Sequence, residues 1–143
     1  MFLLLSGISY SVTDESNREN RIHNFLVKVN PTSPIIGFEK DIVQIADKYG
    51  LDYRLYIALS GAESTFGKRY IKNNHNLTGI LSGQLKHKSI LDNIEYTYKL
   101  IATKPYYYKY RATKDVRDLI YVWKGVGPFG PYIETFKWIL KKI

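Results

Sequence analysis

Glu63 is the residue of this chain whose type and spacing point most directly to chemistry. It follows Leu59 by four positions and Leu55 by eight, so it continues an apolar helical stripe instead of turning away from it. Burial penalises the charged form of a carboxylate, and an acid that keeps its proton near neutral pH is what general-acid cleavage of a glycosidic bond requires. Thr65-Phe66-Gly67 follows at once and would open the end of this helix to a cleft. The plain structural alternative is a stripe-edge Glu bonded to a backbone amide at a fraying helix end.

Most glycosidases place two carboxylates across the scissile bond. After Glu63 only Asp92, Glu95, Asp115, Asp118 and Glu134 remain. Asp92 and Glu95 share the spacing of one exposed helix edge, and Asp115 and Asp118 read as a helix cap and its first turn. None offers itself as a partner. His23, His75 and His87 lack the spacing of metal ligands, no cysteine is present, and no metal or cofactor is expected. His75 is either a substrate contact or a loop residue. Lys104-Pro105-Tyr106-Tyr107-Tyr108-Lys109-Tyr110-Arg111 interleaves rings with bases. Such a run can stack sugars, stack nucleobases or pack one face into a core.

The elements that must position these residues follow from apolar periodicity and breakers. Asn30-Pro31-Thr32-Ser33-Pro34 is a breaker cluster. It divides a leader or arm over residues 1–30, holding at most one short helix, from a single domain over 31–143. Residues 1–12 begin with a short apolar stretch, Met1 to Ile8, without a preceding base. It reads either as the remnant of a trimmed signal or anchor, giving membrane or wall association, or as a weakly packed terminus. Phe38, Ile42, Ile45, Ala46 and Tyr49 form a helical stripe closed by Gly50. Asp52 caps the next helix, with Leu55, Ala58, Leu59 and Ala62 as its stripe. Residues 67–88 lack periodicity and predict a small loop or hairpin lobe. Ile90, Ile94, Tyr98 and Ile101 mark a further helix that Pro105 interrupts or follows. Asp115 caps a helix through Trp123, Gly125-Val126-Gly127-Pro128 breaks the chain, and a last helix runs from about Pro131 through Leu140. The predicted class is mainly α.

Charge is uneven along these elements. The 143 residues carry 21 Lys and Arg against 13 Asp and Glu, a formal net charge of +8. Residues 64–143 alone hold fifteen bases and five acids, a net of +10, so an anionic polymer is the expected partner. No stretch approaches the roughly 20 apolar residues that a membrane-spanning helix needs.

Three segments together resemble a known family. Ala62-Glu63-Ser64-Thr65-Phe66-Gly67, then Asn74-His75-Asn76-Leu77-Thr78-Gly79-Ile80, then Trp123-Lys124-Gly125-Val126-Gly127-Pro128 are similar to the lysozyme-like superfamily. The likeness is to soluble lytic transglycosylase (SLT) domains and related glucosaminidase-type peptidoglycan hydrolases, and it extends over residues 31–143. It implies a lysozyme-like fold and cleavage of the β-1,4 bond between N-acetylmuramic acid and N-acetylglucosamine, with Glu63 as acid and base. Carried over by position, Ser64 is the residue that bonds near the acid, and Asn76, Gly79 and Ile80 form the turn that contacts a substrate N-acetyl group. Thr78 stands where an aromatic residue is frequent. Val122-Trp123 stands for the family's Tyr-Asn pair, so its supporting tyrosine has no clear counterpart; Tyr121 or one of Tyr106, Tyr107 and Tyr108 could serve. Tyr107, Tyr121 and Trp123 complete the expected substrate-binding set.

The resemblance further implies that a single Glu suffices, with the muramic C6 hydroxyl closing a 1,6-anhydro ring, whereas hydrolysis would need a positioned water. The expected partner is peptidoglycan glycan, met as a monomer, at an exported or cell-envelope site or as a phage-encoded lysin; no nucleic acid is expected. Two rival classes stand beside this reading. A wall-glycan-binding module would keep the fold without turnover, and a basic nucleic-acid binder would use the net charge and the tyrosine run.

Overall fold

The computed structural model describes residues 2–125 and 127–143, the first twelve of them (2–13) by backbone alone, so Val126 of the expected breaker lies outside the described residues. The class is mainly α, and no strand occurs among the described residues. Helix α1 spans Phe2–Val29 and α2 spans Glu39–Lys48. They run antiparallel, zipped by Arg18 donating to both oxygens of Asp47 at 2.7 and 2.9 Å, by Gln44 donating to Glu15 and by the His23–Glu39 contact.

This pairing corrects the expected boundary at residue 31. Ile22, Phe25 and Leu26 sit in the central core beside Ile42 and Val43, so the second half of the supposed leader is one wall of the domain. The reason is amphipathic spacing: three apolar residues at i, i+3 and i+4 on a long charged helix still make a burying stripe. Residues 67–88 form a loop with one 3-10 turn, Lys72–Asn74, and no hairpin.

Helix α3, Leu55–Ser64, is the axis of the molecule. Leu55, Tyr56, Ile57, Ala58, Leu59 and Ser60 are all buried, as befits a helix covered on every side. Asp52 does not cap it; its carboxylate accepts from the Arg54 amide and side chain one turn earlier. The hydroxyl of Tyr98 holds that entry by donating to Tyr53 O at 2.9 Å. Tyr98 comes from α4, Ile90–Thr103, which Ser89 caps through the Asp92 amide. Pro105 follows α4 and opens a 3-10 turn, Pro105–Tyr107, leading into α5, Tyr108–Thr113. Asp115 caps α6, Val116–Lys124, and its bonds with Arg117 pull its carboxyl down to about 2. Helix α7, Gly130–Lys142, crosses α3 so closely that a Cβ on Gly61 would lie 2.5 Å from Ile139 Cδ1.

One buried polar knot fastens the loop to these helices. The Asn93 carboxamide is fully buried on α4. Its oxygen accepts from Tyr56 of α3 at 2.7 Å and from the Leu77 amide at 3.3 Å, while its NH2 donates to Thr78 at 3.2 Å. Thr78 bonds Thr97 in turn, at 2.9 Å.

The place of α1 in the core can be checked directly. Leu26→Ala should lower unfolding stability by about 2–5 kcal/mol, read from the urea midpoint, because the side chain is 0% exposed. A change within about 0.5 kcal/mol would restore the boundary at residue 31.

Candidate active site

The end of α3 is bent sharply and held from outside. Thr65, Phe66 and Gly67 all take positive φ, at 51°, 57° and 83°. A carbonyl turned inward by such a reversal needs donors. The Phe66 carbonyl finds two, accepting from Asn30 Nδ2 at 2.9 Å and Ser33 Oγ at 2.8 Å. Gly67 packs on Pro34, where a Cβ would come within 2.7 Å of the ring. The Asn-Pro-Thr-Ser-Pro cluster is therefore the clamp that fixes the helix end bearing Glu63.

Glu63 lies in the wall of a cleft of about 730 Å3. Its side chain is only 16% exposed. Tyr132, near the start of α7, donates to Glu63 Oε1 at 2.8 Å. Lys124, the last residue of α6, brings its ammonium to 3.4 Å from the same oxygen and lies 5.1 Å from the centre of the Tyr132 ring. Oε2 accepts no hydrogen bond among the described residues and lies against Gly79, where a Cβ would sit 2.7 Å from the Glu63 carboxyl carbon. Gly79 itself has φ +74°. One oxygen is thus held by the protein and the other is left for the cleft. Burial, and after it the charge and hydrogen bond of Glu63, push the Tyr132 hydroxyl far above the ordinary tyrosine range, so it remains a donor at any physiological pH.

The expected site residues divide into three groups. Gly79, Ile80, Tyr107 and Trp123 line the cleft with Glu63. Trp123 also donates from its indole to the Thr78 carbonyl at 3.1 Å, which seats α6 on the loop. Asn76 lines the cleft too, but its carboxamide is occupied by Ile80 and Leu85, bonding Ile80 N, Ile80 O and Leu85 O, so it shapes the turn. Ser64 and Tyr121 are corrections. Ser64 is buried, donates to Ser60 O and accepts from the Gly67 amide, because a Ser in the last turn bonds its own helix. Tyr121 is 57% exposed and packs edge-on against Phe129, since it leaves the α6 stripe by one position. His75 bonds the His87 carbonyl at 3.1 Å and does not line the cleft.

The tyrosine run is split by helical phase. Tyr106 is exposed on the cleft, Tyr107 is buried beneath it with its ring 6.3 Å from Trp123, and Tyr110 is in the core with its hydroxyl pushed up to about 12 by burial. Tyr70, Ile71 and Tyr96 add apolar surface to the cleft.

Two residues of the constellation were missed in the sequence, although both carry a signal. Lys124 follows Ile120 by four, a cation continuing an apolar stripe as Glu63 does, and Tyr132 precedes Phe136 by four on α7. Glu63 is the only carboxylate lining the cleft among the described residues. Asp92, Glu95, Asp115 and Asp118 are spent on Lys88, on Lys48 and Tyr49, on Arg117, and on Lys109 and Thr113 respectively. No group of three or more potential metal ligands occurs among the described residues. No family model matches this chain, and neither a curated protein nor a solved structure does.

The Gly79 contact is testable by a double-mutant cycle. Gly79→Ala should cost about 1–3 kcal/mol, part from its φ and part from collision with Glu63. In a Glu63→Ala background the collision disappears, and about 1–2 kcal/mol of the loss should be recovered. Equal costs in both backgrounds would show that Gly79 is kept for its backbone alone.

Proposed function

We propose that this protein is a peptidoglycan-cleaving enzyme of the lysozyme-like fold, a lytic transglycosylase or a lysozyme-type glycoside hydrolase, with Glu63 as its acid and base. One observation carries the reading: a single carboxylate, half-withdrawn from water, with one oxygen fixed and the other open, in a cleft lined by aromatic rings. Sugar rings present apolar C–H faces and polar rims, and Tyr106, Tyr70 and Trp123 supply surfaces of that kind.

In the first step protonated Glu63 gives its proton from Oε2 to the glycosidic oxygen as the C1–O bond breaks. The substrate's own N-acetyl group stabilises the positive charge at C1. The carboxylate then takes the proton of the muramic C6 hydroxyl, whose oxygen closes on C1. One residue serves both steps, which suits a cleft whose described lining holds no second carboxylate. Tyr132 keeps Oε1 from rotating into the cleft, so that Oε2 is the oxygen that meets substrate. Such a substrate places the activity at a cell wall, whether the cell's own or one attacked by a phage.

A glycan-binding module without turnover is the second reading. It is favoured by the Lys124 contact, which gives the carboxylate a standing counter-ion.

Mass spectrometry of soluble fragments released from purified peptidoglycan separates these readings. Muropeptides one water lighter than reducing products are expected; reducing products would make it a hydrolase, and binding without any fragment would make it a module. Glu63→Gln should abolish release while leaving the fold unchanged. Tyr132→Phe should slow cleavage roughly ten- to a hundredfold, the equivalent of a hydrogen bond to a charged acceptor. Full activity in Glu63→Gln would sink the assignment.

A further inference from the structure

Lys124 has an arrangement that the proposed chemistry does not use. Its ammonium is 3.4 Å from Glu63 Oε1, longer than the 2.8 Å bond from Tyr132 to that same oxygen. Its side chain is 38% exposed and lines the cleft. An ammonium has three donors, and Glu63 is the only acceptor given to this one among the described residues. The contact is thus a loose, half-solvated ion pair with donors to spare.

We propose that Lys124 is the receptor for a carboxylate of the substrate, its ammonium exchanging the Glu63 oxygen for that group. This rests on the reading of Glu63 as the acid of a glycan-cleaving cleft. The substrate class it selects is a glycan bearing carboxylate groups, as opposed to a neutral amino-sugar polymer. Three neighbours govern the exchange. Tyr132 of α7 remains on Oε1 and keeps the carboxyl group in place when the ammonium leaves. Gly79 offers no side chain that could replace it. Arg69 of the cleft loop is the second cation of the lining and has no ion pair with Glu63, so it raises the local anion concentration without touching the acid. In the absence of an anionic substrate, Lys124 returns to Glu63.

The test compares soluble peptidoglycan fragments with the same fragments whose carboxylates are blocked as methylamides. Wild type should favour the free carboxylates by about tenfold in kcat/KM, with most of the difference in KM. Lys124→Met keeps the length of the side chain and removes the charge. It should raise KM for the free form about tenfold and so erase the preference for free over blocked carboxylates. Arg69→Met should weaken binding of the free form without erasing that preference. A Lys124→Met variant that loses the same factor on both substrates would make Lys124 a structural clamp, and an unchanged preference would also overturn the proposal. If wild type cleaves neither form, the reading of Glu63 as an acid fails by itself. Titration of both fragments into Glu63→Gln, with and without Lys124→Met, then decides the receptor: a preference for free carboxylates lost with Lys124 supports it, and equal affinities refute it.

Discussion

A carboxylate at the end of an apolar helix is unfavourable unless it finds polar partners, and that constraint organises the molecule around Glu63. Helix α3 must be buried on all sides to be stable, so the side chain at its last turn cannot simply swing into water. Its partners therefore come from elements distant in sequence: Tyr132 from α7 and Lys124 from α6. For those two to reach, α7 must cross α3 at close range, which Gly61 permits, and α6 must be seated on the cleft loop, which the Trp123–Thr78 bond secures. The loop in turn depends on Asn93, whose single carboxamide serves α3, the loop backbone and Thr78. Removing any link leaves either an unpaired buried group or a displaced carboxylate.

Much of this was legible in the sequence because it is local. The stripes of α2, α3, α4 and α6 have helical spacing, Gly50 and Gly125 sit where left-handed caps belong, and Asp115 caps α6 as its position suggests. Glu63 stood out by the same logic, as a charge on an apolar stripe. What was not legible is what depends on tertiary partners. The Asn30–Pro34 cluster has the composition of a linker, yet Asn30 and Ser33 are donors to a carbonyl more than thirty residues away. Residues before it look like an arm because charged positions outnumber apolar ones, and only contact with α2 shows that Ile22 and Leu26 are core.

The two misassigned residues make the same point from the other side. The resemblance put Ser64, beside Glu63, at the position that bonds near the acid, and offered Tyr121, near Trp123, as a counterpart of the family's supporting tyrosine. Adjacent residues on a helix point about 100° apart, so proximity in sequence is a poor guide to sharing a site. Spacing by four is the better one. It links Leu59 to Glu63, Ile120 to Lys124 and Tyr132 to Phe136, and the three polar members of those pairs are the ones that meet.

Charge acts here on two length scales that composition merges into one number. Most of the excess positive charge of residues 64–143 is on the surface, where Lys68, Lys72, Lys86 and Lys88 are exposed around the cleft loop. At physiological salt such charges act over about 8 Å, enough to concentrate an anionic polymer at the cleft but not to distinguish one anion from another. Inside the cleft the described lining holds two cations, Arg69 and Lys124, against one carboxylate, so the balance there is small and positional. A surface lysine is interchangeable with its neighbours. Lys124 is not, because its charge is opposed by a specific oxygen 3.4 Å away, and any anion that binds it must compete with that oxygen. Selectivity among anionic polymers can therefore reside in one ion pair even though attraction is spread over a whole face.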